Sequence, residues 1–179
     1  MMAGAGKLLI EGRPGSGKTT VATRAVELLR ARGKVAAGFL TREIRERGSR
    51  VGFEIEALDG EREVLAHVDL PGPPRVGNYG VDLEAFERVA LPAISKPGTD
   101  VVVIDELGRM ELASSRFCDA VHRLFEQPLP LLATVHAHRH PFTDDIKRRA
   151  DVELIRLTRS SRDELPEKLA SRLDLGDRG

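Results

Sequence analysis

The sequence of 179 residues has one cysteine, one tyrosine and no tryptophan. A lone Cys118 excludes an intrachain disulfide and suits a reducing compartment, so a cytoplasmic setting is expected. Its place inside a predicted helix points to packing rather than reactivity. Net charge is also missing: 28 Lys plus Arg balance 28 Asp plus Glu, which removes any composition-based argument for a nucleic-acid or membrane-surface partner. No apolar run approaches transmembrane length. The opening Met1–Lys7 stretch has no apolar segment of the signal-peptide kind. Internal repeats, low-complexity tracts and interdomain linkers are absent too. What is present is globular: 41% hydrophobic and 31% charged residues. This length most simply makes one domain, residues 1–179, with a single substantial core.

The most informative stretch is Leu8 to Thr20. Gly12-Arg13-Pro14-Gly15-Ser16-Gly17-Lys18-Thr19 fits G-x-x-x-x-G-K-[ST], between a strand-like apolar run and a helix-like pattern. Gly12, Gly15 and Gly17 let the backbone curl so that successive N–H groups point at phosphate oxygens. The helix beginning near Gly17 adds its positive dipole end, with Thr20 in its first turn. Lys18 is expected at the β- and γ-phosphates and the Thr19 hydroxyl on Mg²⁺. A nucleoside triphosphate with Mg²⁺ is the implied ligand.

Periodicity organises the rest. Lys7–Glu11 reads as the first strand. Val21, Ala25, Leu28 and Leu29 form one helical face ending at Gly33. Val35–Arg42 reads as a second strand. Val51, Phe53, Ile55 and Ala57 then alternate with a second set, with turn signals at Gly48-Ser49 and Asp59-Gly60. This predicts an antiparallel meander over about residues 43–68, inserted into an alternating α/β pattern. Residues 69–81, rich in Pro and Gly, read as a loop. Asp82 caps a helix that Pro92 kinks or ends. Val101–Ile104 is a buried parallel strand by its β-branched run. A helix over 115–127, a buried strand over 130–136, a short helix near 143–150, a strand over 152–158 and a helix over 163–173 complete the pattern. The fold class is α/β, a P-loop NTPase with helices on both sides of a mainly parallel sheet.

The strand Val101–Ile104 runs into Asp105 and Glu106. After a phosphate loop this is the Walker B arrangement: Asp105 holds Mg²⁺, usually through water, and Glu106 orients and deprotonates the attacking water. Two acids capping the next segment is the alternative. The following strand ends in Thr134 and His136, which share a face and can sense a γ-phosphate, or are ordinary strand-end polarity.

With these residues in hand the chain resembles the small nucleoside-triphosphatases first described from thermophiles, whose human relative is called cancer-related nucleoside-triphosphatase. The likeness runs over most of the chain and includes Gly12–Thr19, Gly38–Glu43, Arg50–Glu54, Arg75–Asp82, Ala90–Pro92, Asp105–Leu112 and Ala133–His136. Asp105-Glu106-Leu107-Gly108-Arg109-Met110-Glu111 is its most specific string. Arg109 departs from the lysine more usual there, keeping the charge with different reach. The resemblance implies a Mg²⁺-dependent cytoplasmic hydrolase of ATP, GTP, CTP and UTP with weak base selectivity. It also implies parallel strands in the order 5-1-4-3-2, with the Thr134 strand between the phosphate-loop and Asp105 strands, and Gly108 among the nucleotide-site residues.

Weaker candidates carry two readings each. Arg109 either stabilises charge on the transferred phosphoryl group or is solvated or paired to Glu111. Arg42 and Glu43 either meet phosphate and a metal-bound water or form a charged strand exit. Tyr79 borders a base or ribose, or packs. His136, His138 and His140 alternate as a metal cluster would, but without carboxylate partners. Arg148 and Arg149 read as a phosphate lid or as a solvated helix end. Glu106 and Arg109 can complete a site within one chain, which favours a monomer. A hydrolase is the leading function. A small kinase whose hydrolysis is leakage and a nucleotide-gated binding module are the alternatives.

Overall fold

The computed structural model describes residues 6–175; the opening residues read for a signal segment lie largely outside them. The phosphate-loop strand β1 (Lys7–Gly12) leads into α1 (Lys18–Ala31). β2 (Ala36–Glu46), β3 (Ser49–Ala57) and β4 (Arg62–His67) follow as successive antiparallel strands. Two short strands, β5 (Arg75–Val76) and β6 (Tyr79–Val81), precede α2 (Leu83–Ile94). Then come β7 (Val101–Leu107), α3 (Ser115–Phe125), β8 (Leu131–His136), α4 (Pro141–Lys147), β9 (Val152–Arg156) and α5 (Leu165–Leu175). Asp82 caps α2 as expected, its carboxylate accepting the Ala85 N–H at 2.9 Å. Pro92 does not stop α2 at once; the helix runs two residues further, to Ile94, because a proline so near the end removes only one ladder hydrogen bond.

All these strands lie in one sheet, ordered β5-β6-β4-β3-β2-β7-β8-β1-β9. The five strands β2, β7, β8, β1 and β9 are parallel neighbours. Numbered among themselves in chain order they run 2-3-4-1-5, the expected order read from the other edge. The sheet is not mainly parallel, however. Among the described residues four neighbour pairings are parallel and four antiparallel. The meander is no separate insertion either: its first strand is β2 itself, continuing to Glu46 instead of ending at Arg42. Arg42 to Glu46 look like a charged exit because they gain a hydrogen-bonded partner on β3 without being buried.

Residues 69–81 are likewise not wholly a loop. Gly77 at φ 59° and Asn78 turn β5 back on β6, which pairs with β4. The dense Pro and Gly hide a hairpin too short to show alternation.

Two cores cover the sheet. One packs α1 and α5 around Leu8, Ile10, Val103 and Leu132. The other packs α2 and α3 around Leu9, Val102 and Ile104, with Phe39, Phe86 and Phe117 mutually in contact at ring-centroid distances of 4.9–5.8 Å. Facing apolar surfaces explain the continuous apolar runs of β1, β7 and β8. Registry between β2 and its neighbours decides the geometry of what lies above the sheet. β2 pairs with β7 only through Ala36–Phe39 and with β3 through Phe39–Glu46. The β2–β3 hairpin therefore overhangs the carboxyl edge of the parallel strands. Among the described residues, no helix is long and apolar enough to cross a membrane.

Candidate active site

The carboxyl ends of the parallel strands carry the site. Gly17 holds φ 96° at the start of α1, a left-handed conformation that glycine adopts without steric cost. The loop thereby turns its backbone toward Lys18, which is 7% exposed. Lys18 Nζ donates to the carbonyls of Gly12 at 2.8 Å and Arg13 at 3.2 Å, and stands 3.9 Å from Glu106 Oε2. Ser16 Oγ is buried without a hydrogen-bond partner among the described residues. Arg13 and Thr20 are exposed and lie outside the cavity wall described below.

A strand irregularity assembles the acidic pair. Ile104 stands opposite Ala133 and Leu107 opposite Val135, so Asp105 and Glu106 together face Thr134. In a regular strand adjacent residues point to opposite faces. Here both engage the same face of β8. Thr134 Oγ1 donates to Asp105 Oδ1 at 2.6 Å, and His136 Nε2 lies 2.7 Å from Glu106 Oε1. The extra residue re-aims two side chains at one place, the usual consequence of a bulge.

Asp105 is almost fully buried, and burial pushes its carboxyl up to about 6. Hydrogen bonds from Thr134 and Thr19 and the charge of Lys18 oppose this, while the charge of Glu106 adds to it. Its Oδ2 is buried and has no hydrogen-bond partner among the described residues. An acid in this state, beside the Thr19 hydroxyl, fits a divalent cation: bound positive charge restores the ionised form.

Glu111, in a single 3-10 turn at Glu111–Ala113, closes the Asp105–Glu111 string and is a sequence candidate for pairing with Arg109. It is buried instead beneath Gly108. A Cβ on Gly108 would lie 2.8 Å from Glu111 Oε2, 2.9 Å from Glu106 Oε1 and 3.2 Å from His136 Nε2, so only glycine fits. Burial first, then the charge of Glu106, hold the Glu111 carboxyl well above the usual range. Arg109 is exposed on the cavity wall and makes no ion pair with Glu111 or any other described residue.

These groups open into one cavity of about 830 Å³. Pro14, Gly15, Gly17, Lys18 and Thr19 line one end, Glu106–Leu112 and His136 the middle, and Arg42, Glu43, Arg50, Phe53, Val76 and Tyr79 the other end. Tyr79 packs edge-on to Phe53 at 5.3 Å, and its hydroxyl accepts from Arg50 Nε at 3.1 Å. Phe53 and Arg50 were legible only as strand residues; nothing local in the sequence announces that the overhang turns them toward Glu106.

Several weaker candidates prove occupied elsewhere. Arg42 pairs with Glu56 at 2.6 Å, and Glu43 with Arg45 and Arg50. Arg149 binds Asp151, Glu126 and the Phe125 carbonyl, and Arg148 pairs with Asp145, so neither points at the phosphate loop. The three alternating histidines all line the cavity: His140 Nδ1 accepts the Phe142 N–H at the start of α4, His136 meets Glu106, and the His138 ring lies 6.0 Å from that of His136.

Whole-chain comparisons show the family. A sequence profile described as NTPase matches residues 7–170. Nucleoside-triphosphatase THEP1 of Thermotoga sp. strain RQ2 is 40% identical over 167 residues, 92% of this chain and 94% of that protein. The crystal structure of THEP1 from Aquifex aeolicus superposes with a TM-score of 0.84 at 35% identity, over 94% of this chain and 99% of that one. The solution structure of a human cancer-related nucleoside triphosphatase does so with a TM-score of 0.81 at 37% identity, over 93% and 96%. A phosphate loop, a bulged acidic strand end and near-complete overlap with these proteins place the chain in the THEP1 and cancer-related nucleoside-triphosphatase family of P-loop NTPases.

Proposed function

We propose that this chain is a Mg²⁺-dependent nucleoside-triphosphate phosphohydrolase that releases the γ-phosphate of ATP, GTP, CTP and UTP with weak base selectivity. The observation that carries this reading is the placement of Glu106 within 3.9 Å of Lys18, at the carboxyl edge of the same sheet. Backbone N–H groups of residues 13–19 cradle the phosphates, which are common to all four triphosphates, and this supports weak selectivity. Thr19 and Asp105 would hold Mg²⁺, with Thr134 fixing the Asp105 carboxylate. The ion supplies charge neutralisation on the phosphate oxygens.

Lys18 gives up its loop carbonyls for the β- and γ-phosphates. Glu106, oriented by His136, accepts a proton from a water aligned with the γ-phosphorus. The water oxygen bonds to phosphorus, the β–γ bridging bond breaks, and the diphosphate leaves with the electron pair. Arg109, on the same cavity wall and without an ion pair among the described residues, would neutralise the transferred group. A site completed by Glu106 and Arg109 of one chain supports a monomeric catalytic unit. A cytoplasmic location accords with the single thiol.

Phosphate release from each triphosphate, with and without Mg²⁺, in wild type and Glu106→Gln, tests this. Comparable Mg²⁺-dependent release from all four, lost in the variant, is expected. Release confined to one nucleotide or indifferent to the substitution would sink it.

A further inference from the structure

Along the carboxyl edge the strand order gives a sequence of stations: phosphate loop after β1, Thr134 and His136 on β8, Asp105 and Glu106 on β7, then the overhanging β2–β3 hairpin with Arg42, Glu43, Arg50 and Phe53. The Glu106 carboxylate stands 3.9 Å from Lys18 of the loop, and β2 and β3 lie one and two strand spacings, about 5 and 10 Å, beyond β7 on the other side. In phosphoryl transfer the entering and leaving oxygens lie roughly in line across phosphorus. The leaving diphosphate is cradled by the loop. The far side of Glu106 therefore belongs to the nucleophile.

Water needs only a few ångströms there. The cavity instead continues to Phe53, Val76 and Tyr79, an apolar and aromatic end of a space of about 830 Å³. That lining suits a small organic molecule. The arginines at this end are already engaged within the protein. Arg42 is held by Glu56 at 2.6 Å, and Arg50 by Glu43 at 3.0 Å and by the Tyr79 hydroxyl at 3.1 Å. A phosphate-bearing acceptor would find no uncommitted cation among them.

We propose that this end of the cavity is an acceptor site for an uncharged, hydroxyl-bearing small molecule with a planar or apolar body, to which the enzyme transfers the γ-phosphoryl group in place of water. The proposal rests on the catalytic assignment of Glu106 made above. The acceptor hydroxyl oxygen forms the new bond to phosphorus, and its proton passes to the Glu106 carboxylate. The bridging β–γ bond breaks and the nucleoside diphosphate leaves with the electron pair. Tyr79 thereby borders the acceptor rather than the nucleotide base.

Simple alcohols are suitable probes. Methanol, n-butanol and benzyl alcohol at equal molarity are added to the holoenzyme turning over ATP with Mg²⁺, and ADP, inorganic phosphate and alkyl phosphate are all quantified. The alkyl-phosphate to phosphate ratio is expected to rise at least tenfold from methanol to benzyl alcohol. The trend should flatten in Tyr79→Ala and persist in Tyr79→Phe, which keeps the ring. The ratio is internal to each sample, so it does not depend on how much enzyme folds or how fast it turns over. Inorganic phosphate as the sole product, or a ratio equal for the three alcohols, overturns the acceptor site. Absence of ADP formation in the wild type would instead refute the catalytic reading on which it rests.

Discussion

Asp105 and Glu111, at the carboxyl ends of the parallel strands, are buried acids with no cation paired to them by an ion pair among the described residues. In the antiparallel half of the same sheet Glu43 is exposed and Glu56 partly buried, and each lies against two arginines. Burial acts to raise both sets. In the antiparallel half, hydrogen bonds from Arg50 and Arg45 to Glu43, and from Arg42 and Arg62 to Glu56, outweigh it and hold these carboxyls low. At Asp105 and Glu111 nothing outweighs it. One half keeps its charges balanced at little cost to folding. The other holds acids in a destabilised state that bound positive charge can relieve, as expected where function rather than stability sets the residues.

The largest effect expected from this contrast is on turnover. Glu106→Gln should lower Mg²⁺-dependent phosphate release by about 10²–10⁴-fold, measured as inorganic phosphate per enzyme per minute. Retention of more than a tenth of the rate would remove Glu106 as the base. Arg62→Ala, on the antiparallel side, should change the same rate little.

Stability should move the opposite way at Asp105. Its folded-state pKa, about 6, lies above that of the unfolded chain, about 3.9. The protonated form is thus the one that favours folding. The group imposes no penalty below pH 4, and the penalty grows as pH rises through 6. Asp105→Asn should therefore stabilise the nucleotide-free protein at pH 8 by on the order of 2–3 kcal/mol, while impairing turnover. Thermal unfolding across pH would show the gain shrinking toward pH 4. A variant less stable than wild type at pH 8 would break the comparison.

Lys147 sits between the halves in cost. Its ammonium meets Glu11 at 2.6 Å and the His136 carbonyl at 3.0 Å, with both side chains 14% exposed. Lys147→Met should cost about 2 kcal/mol in a denaturant titration, less than a fully orphaned buried charge, because Arg156 still stands 3.4 Å from Glu11.

Asp151 gives a smaller, pH-bound effect. Hydrogen bonding to Arg149 foremost, with Lys7 also contributing, holds it down to about 2 despite partial burial. Its contribution is present above pH 4 and lost as pH falls through 2. It is 42% exposed, so Asp151→Asn should change stability by no more than about 1 kcal/mol at pH 7. The difference should vanish in acid. The smallest change belongs to Arg62→Ala, within about 0.5 kcal/mol by chemical denaturation.

Much of the parallel half was legible in sequence because its signals are local. The G-x-x-x-x-G-K-[ST] spacing, the apolar run before Asp105 and the cap at Asp82 each lie within a few consecutive residues. What escaped depends on distant pairing. The bulge at Asp105 and Glu106 exists only relative to β8. The burial of Glu111 follows from the glycine above it and the strand beside it, not from its neighbours in the chain. The β5–β6 hairpin is too short for alternation to register, although Gly77-Asn78 between Val76 and Tyr79 is a turn signal that was present. Arg42 and Glu43 looked like ligands for phosphate and metal because they follow a strand at the correct edge. Their partners, Glu56 and Arg50, sit on the next strand.

The single shared residue Phe39, where β2 leaves β7 and takes up β3, gives the hairpin the mechanics of a cantilever. Its root is clamped between the phenylalanines of the core, β4 braces β3 from Gly52 to Glu56, and only the tip from Arg45 to Arg50 projects unbraced beyond them. A beam held at one end bends most at its tip. Flexure therefore falls on the tip from Arg45 to Arg50, while Phe53, paired opposite Ala66, stays fixed to the sheet that also sets the Lys18–Glu106 spacing.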